Sequence, residues 1–323
     1  MIIKVFIQTE KFDGGPSIFR SRLINALNKF EDIKIVTNIN DKFDVELAFI
    51  RKVFDHKKPY ILRVDGCYYE KRRKKGNIVL REAILKSEYL IFQSYFSLKL
   101  CNHILDIEKK IKIEEKDYSV IYNGIDLDYI KNIKPDKNIE YGSFVSCAGW
   151  RPNKRPLSMI RGFLEANTGR HLYMIGGAGF SGNKIDKKYN SKYIHILGEK
   201  SNKDTISIMK ACDYQIHLCH IDSCPNSVIE GMVCGLNVLC TNLGGTPELV
   251  KNNGVILNVD KFWKGRYLNN KNLDMVSSSV ISSGIIELLK NKQKLDVLQF
   301  DINSVAARYR EVIKKVIKKV INK

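Results

Sequence analysis

"YQIHLCHIDSCPNSVIEGMVCGLNVLCTN", residues 214–242, decides the fold. Its two ends, YQIHLC and NVLCTN, are apolar runs of strand length. Between them Val228, Ile229, Met232 and Val233 recur at helical spacing, so residues from about Asn226 to Cys234 read as a helix with one buried face. Gly235 closes that helix; Ser223 or Cys224 is expected as its N-cap, with Pro225 in a first turn that needs no amide donor. Strand runs that are apolar on both faces and separated by a helix imply a parallel pair covered on both sides.

The same alternation extends outward in both directions. Upstream run IIKVFIQ, the helical SIFRSRLINALNKF, and then IKIVTN, VELAFI, YILRV, YLIFQS and SVIYN; a polar, Pro-containing stretch, KNIKPDKNIEYG (131–142), follows. The pattern restarts with SFVSCAG, the helical LSMIRGFLEA, HLYMIGG and YIHILG, and ends with GVILN. At 323 residues the chain suits two domains. The expected class is α/β, with two doubly wound Rossmann-like domains facing across a cleft and ligands outside the carboxyl ends of the strands.

The loops after the strands carry the residues with chemistry. Asp222 lies just outside the helix N-terminus and Glu230 one turn inside, while the amides of Asn226 and Ser227 leave a positive helix end suited to a phosphate or carboxylate. Asn226 and Glu230 are i and i+4 and share a face, so a ligand bearing both an anion and hydroxyls would satisfy them together. His217, Cys219, His220, Asp222 and Cys224 are close in sequence, but in a strand His217 and Cys219 share one face and His220 the other. That set does not converge without a turn, and no metal is expected. GAGFSG (177–182) matches the dinucleotide fingerprint, yet NKIDKKYNSKY after it has no apolar stripe for the required helix.

Composition narrows the setting. Eight scattered cysteines without C-x-x-C spacing suit buried thiols in a reducing compartment. The chain has neither a long apolar run nor a signal-peptide pattern, and a cytoplasmic location is expected. The net charge of +19 concentrates in KRRKK (71–75) and in RYREVIKKVIKKVINK (308–323), where Tyr309, Val312, Val316 and Val320 form an apolar stripe. Such a helix either lies on an anionic membrane or docks on the protein with its lysines in water. No zinc finger, basic zipper or RNA-recognition motif accompanies the charge, and no nucleic-acid partner is expected.

In order along the chain, the Gly-Gly loop at 14–15, IFQSYFS (91–97), VIYNGID (120–126), WRPNKRP (150–156), MIGGAG (174–179), Asp222-x7-Glu230 and LGGTPELV (243–250) resemble the retaining glycosyltransferases of family 4. The resemblance implies the GT-B fold: an acceptor-side domain at 1–135, a nucleotide-sugar-binding domain at 143–304, and a helix of about 305–323 that packs back on the first. It implies transfer of a hexosyl group, with retention, from a nucleotide-diphosphate sugar to a hydroxyl of a glycan or lipid-linked acceptor, without a metal, as the domains close over the donor. Glu230 would hold the ribose hydroxyls, and Asp222, which stands where the family usually has Glu, would contact the sugar. Arg151 and Lys154 would stabilise the leaving diphosphate. Gly15, Arg155, Gly176, Gly177, Cys224, Pro225, Asn226 and Ser227 would line the donor site, and Asp65 would stand on the acceptor side where relatives often carry His. Two other readings remain open: a nucleotide-sugar epimerase on the same plan, or a non-catalytic protein that binds nucleotide or an anionic surface.

Overall fold

A computed structural model describes residues 2–8, 15–50, 56–105, 117–177, 187–268, 275–290 and 297–322. The chain divides into two compact units. Unit 1 takes Met1–Asp126, Trp263–Asn270 and Leu298–Lys323; unit 2 takes Leu127–Phe262 and Lys271–Val297. The first division thus falls at Asp126, ahead of the polar stretch, and two later segments return to unit 1.

In unit 1 the strands are β1 (Ile3–Phe6), β2 (Ile33–Val36), β3 (Val45–Phe49), β4 (Tyr60–Val64), β5 (Tyr89–Phe92) and β6 (Tyr118–Val120), all parallel, in the order β2-β1-β3-β4-β5-β6. The helices that follow are α1 (Gly15–Leu27), α2 (Gly76–Lys86) and α3 (Tyr95–Leu105). Side chains alternate across a strand, so Val5, Ile7, Val45, Leu47, Phe49, Ile61 and Ile91 fall on one face and meet Phe19, Leu23 and Leu27 of α1. The C-terminal helix, Ile302–Ile321, packs into the same core through Val305, Ala306, Tyr309, Val312, Ile313 and Val316. Asp301 caps it, its carboxylate accepting from the Ser304 amide. The apolar stripe read from the sequence is therefore buried inside unit 1.

Unit 2 repeats the plan with β7 (Phe144–Cys147), β8 (Leu172–Ile175), β9 (Ile194–Gly198), β10 (Tyr214–His217), β11 (Asn237–Thr241) and β12 (Gly254–Leu257), in the parallel order β12-β11-β10-β7-β8-β9. Its helices are α4 (Leu127–Asn132), α5 (Pro156–Glu165), α6 (Asn202–Ala211), α7 (Asn226–Val233), α8 (Thr246–Val250) and α9 (Ser278–Lys290). Phe144, Met174, Ile216 and Leu239 pack with Met159, Ile160 and Phe163 of α5 and Ile281, Ile285 and Leu288 of α9. The strand order reverses between β7 and β10, and the loops at the carboxyl ends of those two strands carry the Lys154 and Asp222 segments.

Candidate functional site

β10 ends at His217, and the chain turns through residues 218–225 before α7 opens at Asn226. The N-cap is Pro225, in extended backbone (φ −69°, ψ 115°), which corrects the expected cap at Ser223 or Cys224 and leaves Pro225 outside the first turn. The cause is tertiary. The Gly245 amide donates to the Asp222 carbonyl at 2.7 Å and Lys154 holds the Asp222 carboxylate; Ser223 and Cys224 then form a bend, and the helix opens only after Pro225. Gly235, at φ +95°, follows the helix as expected.

Lys154 closes a short 3-10 helix, Pro152–Lys154, after β7, and is almost fully buried. Its Nζ donates to Asp222 Oδ2 at 2.5 Å. Burial opposes the charge on Lys154, but the Asp222 carboxylate beside it outweighs burial and raises its pKa above the ordinary lysine value. Burial likewise works against the Asp222 anion, and Lys154 overcomes it and lowers the carboxyl pKa. His217 Nε2 lies 3.8 Å from Asp222 Oδ2 and finds no hydrogen-bond partner among the described residues. Burial, with Lys154 adding to it, pushes His217 down to about 3, so its ring is neutral at physiological pH.

One ligand atom each from His217, Cys219 and Asp222 lie within 4.8 Å of one another. The turn at 218–222 achieves a convergence that a straight strand could not. The charge in their midst is the Lys154 ammonium, an ion covalently fixed to the chain.

Glu230, expected on the helix face, is 7% exposed, and Asn202 Nδ2 donates to its Oε1 at 3.4 Å. Asn226 and Ser227 stand partly exposed in the first turn of α7; Pro225 and Cys224 are buried. Arg151 is partly exposed, in extended backbone ahead of the 3-10 helix. Arg155, a donor-side candidate by resemblance, is buried in the same loop. It adopts φ +54°, its guanidinium donates to Asp260 at 2.5 and 2.8 Å, and His220 Nδ1 stands 2.9 Å from the same carboxylate. This pair ties the loop after β7 to the end of β12.

Gly176 and Gly177 follow β8. A Cβ on Gly176, at φ +131°, would fall 1.8 Å from the Ala148 carbonyl oxygen, so only glycine lets the ends of β7 and β8 come this close. Residues 178–182 of GAGFSG lie outside the described residues, as does Gly14; Gly15 opens α1 in unit 1 and is exposed. In LGGTPELV, Gly244 sits at φ +109°, where a Cβ would come 2.7 Å from the Asp222 carbonyl oxygen. Gly244→Ala is therefore expected to displace the Asp222 loop and weaken ligand binding in unit 2 at least tenfold while leaving the sheet folded, as read by calorimetry beside circular dichroism.

In unit 1, Asp65 follows β4 and pairs with Arg63, which is fully buried over the Phe19 ring at 4.3 Å. Arg63 also donates to Asn123 Oδ1 at 2.5 Å and to Gln93 Oε1 at 3.4 Å, while Gln93 donates to the Asp65 carbonyl. YLIFQS and SVIYNGID thus converge on a residue that sequence reasoning passed over. The readable signal was a cation inside the apolar run YILRV. Asp260 was also missed; its signal was an acidic residue just after GVILN.

Two parallel six-stranded sheets flanked by helices, each unit with its polar residues gathered beyond the strand ends, define the GT-B fold of glycosyltransferases. Residues 152–296 match the family described as "Glycosyl transferases group 1". Over 132 residues, 41% of this chain and 33% of the relative, the sequence is 29% identical to the Campylobacter jejuni N,N'-diacetylbacillosaminyl-diphospho-undecaprenol alpha-1,3-N-acetylgalactosaminyltransferase. The matches to curated relatives span a third to about half of those proteins' lengths. A glycosyltransferase from Rickettsia africae shares the fold at a TM-score of 0.66 and 14% identity, over 98% of this chain and 99% of the other. Anabaena HepE, solved in complex with UDP, does so at 0.60 and 14%, over 99% of each.

Proposed function

We propose that this protein is a retaining glycosyltransferase of family 4 that moves a hexosyl group from a nucleotide-diphosphate sugar to a hydroxyl of a glycan or lipid-linked acceptor. The observation that carries this reading is the ion pair between buried Lys154 and partly exposed Asp222, the latter four residues ahead of α7, at the point where the unit 2 strand order reverses. As the bond from sugar to phosphate breaks, negative charge grows on the diphosphate. Lys154, Arg151 and the first turn of α7 are fixed positive groups for it, which removes the need for a metal. Glu230 accepts from the ribose hydroxyls and Asp222 contacts the sugar. The acceptor hydroxyl attacks on the face that the diphosphate leaves, and the departing phosphate oxygen takes its proton. Asp65, held by Arg63, accepts a hydrogen bond from the acceptor.

UDP bound to a protein of the same fold supports a nucleotide donor, and a relative named for an undecaprenol-linked substrate supports an acceptor anchored in a membrane. Among the described residues no helix is long and apolar enough to cross a bilayer. A peripheral association, driven by the net charge of +19, fits such an acceptor.

The test is the thermal stability of the protein with UDP, GDP, ADP and their sugar conjugates, beside Glu230→Ala. Ligand at a hundred times its dissociation constant adds ~2.7 kcal/mol to stability. A shift with one nucleotide that vanishes in the variant establishes the donor site and chooses the base; no shift with any of them overturns the proposal. Sugar transfer in the presence of acceptor, as opposed to release of free sugar without one, then separates a transferase from an epimerase.

A further inference from the structure

Two dense groups of basic residues in unit 1 differ in their surroundings. On the C-terminal helix the apolar stripe is buried, and Arg310 and Lys314 pair with Asp32 at 2.6 and 2.8 Å while Lys315 and Lys319 pair with Asp117 at 2.7 and 3.1 Å. Much of that positive charge is answered locally, and the large apolar side chain that this helix exposes is Ile321, in its last turn.

The other group surrounds the start of α2. Lys71, Lys74 and Lys75 are exposed and make no ion pair among the described residues. Arg73 lies over the Tyr68 ring at 5.1 Å. One turn on, α2 buries Asn77, Leu80, Ala83 and Ile84 and turns Ile78 (62% exposed) and Val79 (51%) outward, directly after the lysines. A segment distant in sequence joins them: the Leu268 amide donates to the Tyr69 carbonyl at 2.8 Å, and the Trp263 ring lies 6.2 Å from that of Tyr69. Lys264 and Arg266, both exposed, thereby stand beside the 68–75 segment. The exposed lysines thus lead directly into two outward aliphatic side chains, with the rings of Tyr68, Tyr69 and Trp263 in the adjoining segments.

We propose that this face, Lys71, Lys74 and Lys75 with Ile78 and Val79 and the flanking Lys264–Arg266 edge, docks on an anionic phospholipid bilayer. Lysines at a negative headgroup layer gain electrostatic attraction, while their long stems leave the backbone free to approach. Aliphatic side chains one turn away enter the acyl boundary, and Trp and Tyr suit the interface itself. The exposed Ile78–Val79 pair decides against nucleic acid, whose phosphate backbone gives aliphatic groups nothing to bury against. The inference specifies the contact behind the membrane-associated acceptor proposed above and rests on that reading; it is independent of donor binding.

The experiment is co-sedimentation with phosphatidylglycerol-containing vesicles and with pure phosphatidylcholine vesicles. It compares the intact chain, Lys71→Glu/Lys74→Glu/Lys75→Glu, Ile78→Asp/Val79→Asp, and Lys318→Glu/Lys319→Glu on the C-terminal helix. All of these substitutions lie in unit 1, so circular dichroism and the thermal unfolding of each variant serve as the folding control, while the nucleotide-induced shift reports on unit 2. The expected result is binding to the anionic vesicles only, weakened roughly a hundredfold by the triple lysine variant. Ile78→Asp/Val79→Asp should also weaken it, and the C-terminal helix variant should leave it unchanged. Loss confined to the C-terminal helix variant overturns the assigned face while leaving a membrane partner intact. Binding unaffected by Ile78→Asp/Val79→Asp and competed away by a soluble polyanion overturns the bilayer in favour of a nucleic-acid-like partner. No sedimentation of the intact chain, with the nucleotide shift present, overturns membrane docking but not sugar transfer.

Discussion

Replacing Lys154 by methionine is expected to weaken UDP binding about a hundredfold. A charge-assisted hydrogen bond contributes ~1.5–3 kcal/mol, and here its loss also leaves the Asp222 carboxylate facing the incoming diphosphate without its counterion. The pH dependence separates these two effects. Burial works against the Asp222 anion, and Lys154 is foremost among the groups that nevertheless lower its pKa; removing Lys154 raises that pKa, with His217 and Arg151 still acting against burial. Protonation of Asp222 then removes the repulsion, so nucleotide affinity in Lys154→Met should improve relative to the intact protein as pH falls. Asp222→Asn in the same background should recover part of the affinity at neutral pH, giving a coupling energy in a double-mutant cycle. Calorimetric titration of the four proteins provides the measurement. Equal losses in Lys154→Met and in the double variant at every pH would mean that the two side chains do not act on one ligand.

Asp260→Ala is expected to destabilise unit 2 by about 3–5 kcal/mol, because it strands the Arg155 guanidinium in a site where each partner's side chain is only 3% exposed. Replacing both partners, as Arg155→Met/Asp260→Leu, should be less damaging than either single change, since no buried charge remains. The sign with pH follows from the carboxyl. Burial pushes its pKa upward, but hydrogen bonds from Arg155 and His220 outweigh burial and hold it at about 2, below the ordinary aspartate value. A depressed folded-state pKa contributes stability that is complete above about pH 4 and lost as pH falls toward 2. The lost contribution is on the order of 1–2 kcal/mol after allowance for solvent at the rim of the pair. Denaturant unfolding at neutral and acid pH should therefore show a shallower acid limb in the double variant than in the intact protein.

Most strands and helices were legible because each buries a whole face, and burial of a face imposes its period on the sequence; β6, with no buried residue, is the exception among the strands. YILRV, YLIFQS and NVLCTN are apolar on both faces and became central strands of parallel sheets, while the Val228–Val233 stripe became α7. The loops after strands were legible as the place for chemistry, since a doubly wound topology gathers them at one edge. Partners within those loops were not. Nothing in WRPNKRP separates Lys154 from Arg155, neighbours with equal charge; only the chain's path sends one to Asp222 and the other to Asp260. The cap of α7 is decided in the same way: Ser223 and Cys224 lie in a bend after Asp222, which Lys154 and the Gly245 amide hold, and the helix opens only after Pro225.

The sequence by itself determined two parallel α/β units, the glycine positions at the strand ends and the acidic pair flanking one helix N-terminus, because periodicity and backbone permissiveness are local properties of a chain. Only the tertiary structure decided that Lys154 neutralises Asp222, that Arg63 gathers Gln93 and Asn123, and that the C-terminal stripe is spent on the unit 1 core while Ile78 and Val79 stay outside. Pairing of charges and the choice between two amphipathic faces depend on which segments meet in space, and residues 268 and 69 or 154 and 222 meet only once the sheets have formed.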